Sequence, residues 1–378
     1  MMPGRRTHIL IVDDSAVMRS LLRSVVCADE SLDVAGTAAD GESALSAVET
    51  LHPDLMLLDV EMPVMDGLVT LRQLRARGDR IPVIMCSSLT QRGAQVTIEA
   101  LACGASDYVT KPAGQVSREA AARALALDLL PRIHALTSRS QSQPQPALPF
   151  VARSPLALPM PPVHKPQPVS SLPLVLAIGV STGGPAALDV LLPALPANFP
   201  LPVLIVQHMP ELFTNLFAQR LDGQCRLRAR EAAEGDPVRA GTIFIARGNW
   251  HLEVLAALRL GQPPTLHLNQ KPLENHCRPA VDALFRSVAA VYGSGVLAVV
   301  LTGMGSDGLA GCRAIRDRGG NVLAQDEATS TVWGMPGAVA NAGLALNVLP
   351  LQAIVPEILR LAGRSSGAEA RELLRSAV

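Results

Sequence analysis

Hydrophobic positions along the chain cluster into short runs separated by helix-period segments. HILIVDD, PDLMLLDV, PVIMCSS and SDYVTKP read as buried strands in the first third. SAVMRSLLRSVV and GESALSAVETL between them place apolar residues at helical spacing. That alternation predicts a doubly wound parallel sheet over residues 1–125. The pattern then breaks. Residues 138–172 carry Pro144, Pro146, Pro149, Pro155, Pro159, Pro161, Pro162, Pro166 and Pro168 among serines and glutamines. Such density opposes helix and sheet and predicts a semi-rigid linker of extended geometry. A PxxP ligand would look the same. From 173 to 363 the alternation returns, with PLVLAIGV, PVLIVQH, GTIFIA, VLAVVLTG, NVLAQD and LALNVL as strands. PAALDVLLPAL and RPAVDALFRSVAAVYG are helices between them, so a second α/β domain is expected. Residues 364–378 read as a frayed helical end.

Composition narrows the classes. The chain has 378 residues, enough for two or three domains at roughly 150 residues each. Its formal net charge is zero, so no overall basic field is available to hold nucleic acid or an anionic membrane. Hydrophobic residues make up 48%, which fits sheets buried on both faces. No apolar run approaches the ~18 residues of a membrane span. The apolar stretch of MMPGRRTHILIVDDSAV is broken by Asp13 and Asp14, unlike a secretory signal. Six scattered cysteines without a C-x-x-C pair point away from zinc or disulfides and toward a reducing cytoplasm, with most packed as small hydrophobes.

Candidate chemistry falls at strand ends, where open α/β sheets bind ligands. In the first domain these are Asp13, Asp14, Asp59, Ser87 and Lys111. Three carboxylates repel one another unless a cation joins them, and magnesium accepts such an oxygen set. A hydroxyl and an ammonium beside them suit a phosphoryl group. Solvated strand-end acids or helix caps would explain any one of these residues, but not the whole set. The DDS motif, the D-V-E-M-P-x-M-D-G run at 59–67 and K-P at 111–112 resemble the response-regulator receiver domain. That resemblance implies a flavodoxin-like fold, phosphorylation of Asp59 by a histidine kinase and magnesium on Asp13, Asp14 and Asp59. It further implies Ser87 and Tyr108 as the switch pair, with Lys111 beside them, and a cis Lys111–Pro112 bond.

In the second domain Gly179-Val-Ser181-Thr-Gly183 sits between a strand and a helix, the context of a nucleophile elbow. Pro185 and Ala186 follow where a Walker A loop needs Lys-Ser/Thr, so a phosphate loop is excluded. A glycine turn that only packs helix on sheet stays open. A serine nucleophile needs a base and an orienting acid. His208 follows a strand and leads over His251 and His276, with His267 a weaker rival. Asp307 follows another strand in a glycine-rich loop; Asp326 is its rival, and a helix cap its plain alternative. The order Ser, His, Asp differs from that of α/β-hydrolases.

A-I-G-x-S-T-G-G at 177–184, Q-H-M-P at 207–210, R-P-x-V-D-x-L-F at 278–285, L-T-G-M-G-x-D-G at 301–308 and G-M-P at 334–336 resemble the protein-glutamate methylesterases of bacterial chemotaxis, the CheB family. The resemblance implies a Rossmann-like three-layer catalytic domain and hydrolysis of glutamate methyl esters on chemoreceptors, with deamidation of receptor glutamines. It implies a CheA-type kinase as phosphodonor, no cofactor for the esterase, no direct membrane insertion, and the Met304 amide as an oxyanion donor. One departure is Arg247 in I-A-R-G, where the family usually has proline. Two other readings remain open: a response regulator whose second domain only binds, and a general esterase indifferent to phosphorylation.

Overall fold

The computed structural model describes residues 5–112, 117–137, 172–259 and 261–363. The linker expected at 138–172 lies outside them except for Leu172, as does the expected helical end at 364–378. The first unit runs β1 (Thr7–Val12), α1 (Ala16–Val26), β2 (Leu32–Ala38), α2 (Gly41–Leu51), β3 (Leu55–Asp59), α3 (Gly67–Ala76), β4 (Val83–Ser87), α4 (Gln91–Ala102), β5 (Asp107–Thr110), α5 (Arg118–Thr137). The second begins β6 (Val175–Val180), α6 (Gly184–Leu191), β7 (Val203–Gln207), α7 (Glu211–Asp222), β8 (Arg228–Glu231), β9 (Thr242–Ile245), β10 (His251–Leu255), β11 (Thr265–Asn269). It ends α8 (Val281–Tyr292), β12 (Val296–Val300), α9 (Leu309–Asp317), β13 (Asn321–Gln325), α10 (Met335–Asn341), β14 (Asn347–Leu349), α11 (Leu351–Leu361).

Both main sheets are wholly parallel, as the alternating pattern requires. The first has strand order β2-β1-β3-β4-β5 and the second β14-β13-β12-β6-β7-β9-β8. The expected buried strands are buried at every residue in β3, β4, β6, β7, β12 and β13. Several strands carry no such run. β2 (LDVAGTA) is an edge strand, and β8 (RARE) is a polar edge. β10 and β11 form a separate antiparallel hairpin. Edge and hairpin strands are covered on one face at most, so their sequences do not show a continuous apolar run.

Helices cover both faces. α1 and α5 bury their apolar residues on one face of the first sheet, while α2, α3 and α4 cover the other. In the second sheet α6, α7 and α11 lie on one face and α8, α9 and α10 on the opposite one. Side-chain caps start α1 (Ser15), α2 (Asp40), α3 (Asp66) and α4 (Thr90). Such caps satisfy amides that a helix leaves unpaired. The expected cis Lys111–Pro112 bond is not found; the cis peptide among the described residues is Arg278–Pro279. Lys111 reaches its two carboxylates without that bend.

In the second sheet β7 lies on one side of β6 and β12 on the other, so chain order reverses at β6. That reversal opens a crevice beyond the strand ends, where α/β proteins bind ligands. Phe285 of α8 is fully buried in the core, and a Cβ added to Gly311 of α9 would lie 2.4 Å from its own Cβ. Truncating Phe285 leaves a cavity that this close-packed helix pair cannot fill. Phe285→Ala is expected to destabilise the second unit by ~3–5 kcal/mol. Denaturant unfolding checks this, and a loss below ~1 kcal/mol would show that the pair relaxes.

Candidate functional site

Ser181, His208 and Asp307 follow β6, β7 and β12, three adjacent strands, on one edge of the sheet. Glycine makes the serine turn possible. Gly183 has φ 76°, and a Cβ there would lie 2.4 Å from Thr331. A Cβ on Gly184 would lie 2.0 Å from the Gln207 side chain. Gln207 donates to the carbonyls of Ser181 (3.0 Å) and His208 (3.3 Å), tying the two strand ends together.

His208 Nε2 lies 2.8 Å from Asp307 Oδ2. Asp307 does not cap its own helix. Its carboxylate accepts from the backbone N–H groups of Val281 (2.7 Å) and Asp282 (3.0 Å), the unpaired amides that open α8. It also accepts from Asn275 Nδ2 (2.9 Å) and Gly308 N (2.9 Å). Asp282 reciprocates by accepting from Gly311 N (2.6 Å) in α9. The R-P-x-V-D and G-x-D-G motifs thus cap each other's helices.

Burial alone would lower the His208 pKa, but the hydrogen bond to Asp307 and the contact with Cys277 outweigh it and hold the ring up to about 9. Burial would likewise raise Asp307, yet His208 and the two amides hold its carboxyl below the ordinary value. Asp307 thus makes the His208 ring a stronger base than a free imidazole. His208 Nδ1, the remaining nitrogen, faces Cys277 Sγ at 3.6 Å, and the Ser181 hydroxyl makes no hydrogen bond among the described residues. The Met304 amide likewise has no bonded acceptor among them.

The rival residues have other employment. His251 is buried between the Pro272 carbonyl (3.0 Å) and the Ala280 amide (3.3 Å). His267 contacts Glu234 on the hairpin, and His276 sits in an exposed turn at φ 63°. Asp326 accepts from Thr329, a local cap. Arg247 pairs with Glu211 and lies 5.8 Å from the Trp250 ring centroid.

In the first unit Asp13, Asp14 and Asp59 bring carboxylate oxygens within 4.8 Å of one another. This all-oxygen set fits magnesium. Lys111 Nζ lies 2.8 Å from Asp13 and 2.7 Å from Asp59. Burial opposes its charge, but these two partners win and raise its pKa. Burial raises the Asp59 carboxyl against the pull of Lys111. Ser87 is fully buried with its hydroxyl on the Ser88 carbonyl (3.2 Å).

The CheB methylesterase family model matches residues 176–358, and the response regulator receiver domain model matches residues 9–122. A protein-glutamate methylesterase/protein-glutamine glutaminase of Nocardioides sp. is 50% identical over 370 residues, covering 96% of this chain and 97% of that one. The chain belongs to the CheB methylesterase family. A second relative of the same name, from Trichodesmium erythraeum, is 46% identical over 94% of this chain and 99% of its own. The Thermotoga maritima CheB methylesterase catalytic domain is 41% identical over 50% of this chain and 98% of its own, with a TM-score of 0.48. The response regulator domain of Thermotoga maritima CheB is 39% identical over 35% and 98%, with a TM-score of 0.32.

In this CheB-family chain the receiver lies against the catalytic unit beside Ser181. Thr182 Oγ1 donates to Asp107 Oδ2 at 2.6 Å, and Arg132 holds the same oxygen at 2.7 Å. Tyr108 stacks on Phe213 of α7, centroids 4.7 Å apart and planes 16° from parallel. α4 packs on α6 and α7, and Met304 and Val332 pack among receiver residues. Nothing in the sequence marks Asp107 or Phe213, and the S-T-G-G motif shows Thr182 without its receiver partner, because these contacts arise only from the docking of two units. All six cysteines are free; Cys86 and Cys312 are buried and Cys103 and Cys225 pack against the core, so most pack as small hydrophobes, as expected.

The His208 ring should lose its proton at about 9 in the intact chain. In Asp307→Asn the counter-charge is gone, burial dominates, and the midpoint should fall below the ordinary value of about 6.5. Ring-proton NMR titration reads both, and an unmoved midpoint would remove Asp307 as the cause.

Proposed function

We propose that this chain hydrolyses γ-methyl esters of glutamate side chains on chemoreceptors, and deamidates receptor glutamines, under control of phosphorylation at Asp59. The observation that carries the chemistry is the 2.8 Å His208–Asp307 pair on the strand end next to Ser181. With Nε2 held by Asp307, Nδ1 of the neutral ring is the nitrogen that takes the Ser181 proton. The serine oxygen attacks the ester carbonyl, and the Met304 amide, without an acceptor among the described residues, receives the oxyanion. His208 returns the proton to the leaving methoxide, releasing methanol. Water, activated by the same nitrogen, then cleaves the acyl-enzyme and frees the glutamate and Ser181. With a glutamine substrate the first leaving group is ammonia.

Control follows from the docked receiver. A phosphoryl group on Asp59, taken from a histidine kinase of the chemotaxis pathway, draws Ser87 and Lys111 toward it. Magnesium held by Asp13, Asp14 and Asp59 would supply charge neutralisation for that transfer. Tyr108 follows Ser87, its stack on Phe213 loosens, and Asp107 withdraws from Thr182. The edge carrying Ser181 then opens to a receptor helix. The relatives' shared name and the two family matches support this reading, and adaptation in chemotaxis is its physiological form. The same reading places the chain in the cytoplasm, and no helix among the described residues is long and apolar enough to cross a membrane.

Methanol release from methylated receptor tests the reading, with and without acetyl phosphate and magnesium. Release should vanish in Ser181→Ala with folding intact and rise on phosphorylation in the wild type. Undiminished release from Ser181→Ala would sink the nucleophile. Asp107→Asn weakens the charged hydrogen bond from Thr182, so the unphosphorylated rate should rise about tenfold. An unchanged or lower basal rate would refute docking as the brake.

A further inference from the structure

One short turn touches both members of the His208–Asp307 pair. Glu274 N donates to the Cys277 carbonyl at 3.1 Å, and Cys277 N to the Glu274 carbonyl at 2.8 Å. The two residues between them, Asn275 and His276, have φ 51° and 63°. This is the left-handed pair of a type I′ turn, in which asparagine is one of the few favoured non-glycine residues. Arg286 of α8 grips Glu274 through two hydrogen bonds of 2.5 and 2.6 Å and fixes the turn against the helix.

From that turn the Asn275 amide nitrogen donates in two directions, to Asp307 Oδ1 at 2.9 Å and to Asp282 Oδ2 at 3.0 Å. Two residues on, Cys277 Sγ lies 3.6 Å from His208 Nδ1. A neutral double donor therefore stands between two buried carboxylates of like charge. Burial raises the Asp282 carboxyl, and the charge of Asp307 raises it further while Asn275 pulls it down. The other ionisable groups around Asp307 are His208 from the β7 end, Glu274 and Arg286 at the turn and α8, and the Cys277 and Cys312 thiols.

We propose that Asn275 is a positioning residue of the esterase: its amide ties Asp307 Oδ1 to Asp282 Oδ2, so that Oδ2 of Asp307 stays aimed at His208 Nε2. The proposal rests on the reading of His208 and Asp307 as the catalytic pair. The Asn275 side chain bonds the two carboxylates and neither Ser181 nor the His208 ring. It acts by fixing the rotation of a carboxylate and by keeping two negative charges apart without adding a third.

Two substitutions separate the amide from the turn. Asn275→Gly keeps a backbone comfortable at positive φ and removes only the side-chain donor. Asn275→Asp is isosteric and puts a third carboxylate where the donor stood. Both are measured in the full chain, with Ser181→Ala as the turnover control, by methanol release across pH and by NMR titration of the His208 ring. Asn275→Gly should lower kcat about tenfold with KM unchanged, the usual scale for losing one orienting hydrogen bond to a charged group. Asn275→Asp should raise the ring midpoint, and with it the acid limb of kcat/KM, by about one pH unit.

Wild-type kcat in Asn275→Gly, or an unmoved ring midpoint in Asn275→Asp, overturns the proposal. So does a fall in both rates that only tracks a lowered melting temperature while the midpoint stays put. If the wild type releases no serine-dependent methanol, the esterase reading fails on its own, and the ring titration still decides whether Asn275 governs the pair.

Discussion

The catalytic unit hangs on the buried carboxylate of Asp307. It accepts from the His208 ring, from the first two amides of α8, from Gly308 and from Asn275. Burying an ionised carboxylate is costly unless its lone pairs are filled. Here the donors come from four separate stretches of chain, so the loops after β7 and β12, the 274–277 turn and the start of α8 must all arrive together. The same carboxylate that terminates a helix also sets the charge on the imidazole. Helix capping and base tuning cannot be varied independently in this site.

A second constraint links the two units. Asp107 of the receiver is bonded at once to Arg132 within its own domain and to Thr182 of the catalytic unit. Tyr108, next in sequence, points into the interface and lies on Phe213. The expected switch aromatic is therefore a structural contact to the domain it would control, and Thr182 is the immediate neighbour of Ser181. Lys111, just past β5, contacts Asp59, and Asp107 at the start of β5 bonds Thr182.

Much of this was legible in the sequence, and for a common physical reason. Strands buried on both faces must be apolar throughout, so β3, β6, β7 and β12 declare themselves, and the polar residue ending each then falls on the ligand-binding edge. The steric demand at Gly183 and Gly184 is equally visible as an S-T-G-G run. What was hidden is what depends on pairing between distant segments. β2 and β8 are edge strands and carry no apolar signature. Asn275 reads as a loop residue until its turn is seen beside Asp307. Asp107 looks like a strand-end acid until Thr182 meets it. Asp307 caps a helix that begins 26 residues before it in the chain, as its bond to Val281 shows, and local patterning cannot foresee that. The cis peptide falls at Arg278–Pro279 rather than after Lys111, at the start of the helix that Asp307 caps.

The strength of the docked contact bounds how sharply such a chain can be switched. A hydrogen bond to a charged partner contributes ~1.5–3 kcal/mol and an aromatic stack ~0.5–1.5 kcal/mol. If phosphorylation abolishes both contacts, the free energy available is a few kcal/mol, or a population shift of order a hundredfold. Moving an equilibrium from 1:99 to 99:1 takes about 5.5 kcal/mol. The apolar packing of α4 on α6 and α7 is formed by core faces that both units bury, and it would have to separate as well for a fuller switch. An enzyme controlled mainly through Asp107 and Tyr108 would thus keep measurable activity when unphosphorylated and respond in a graded way.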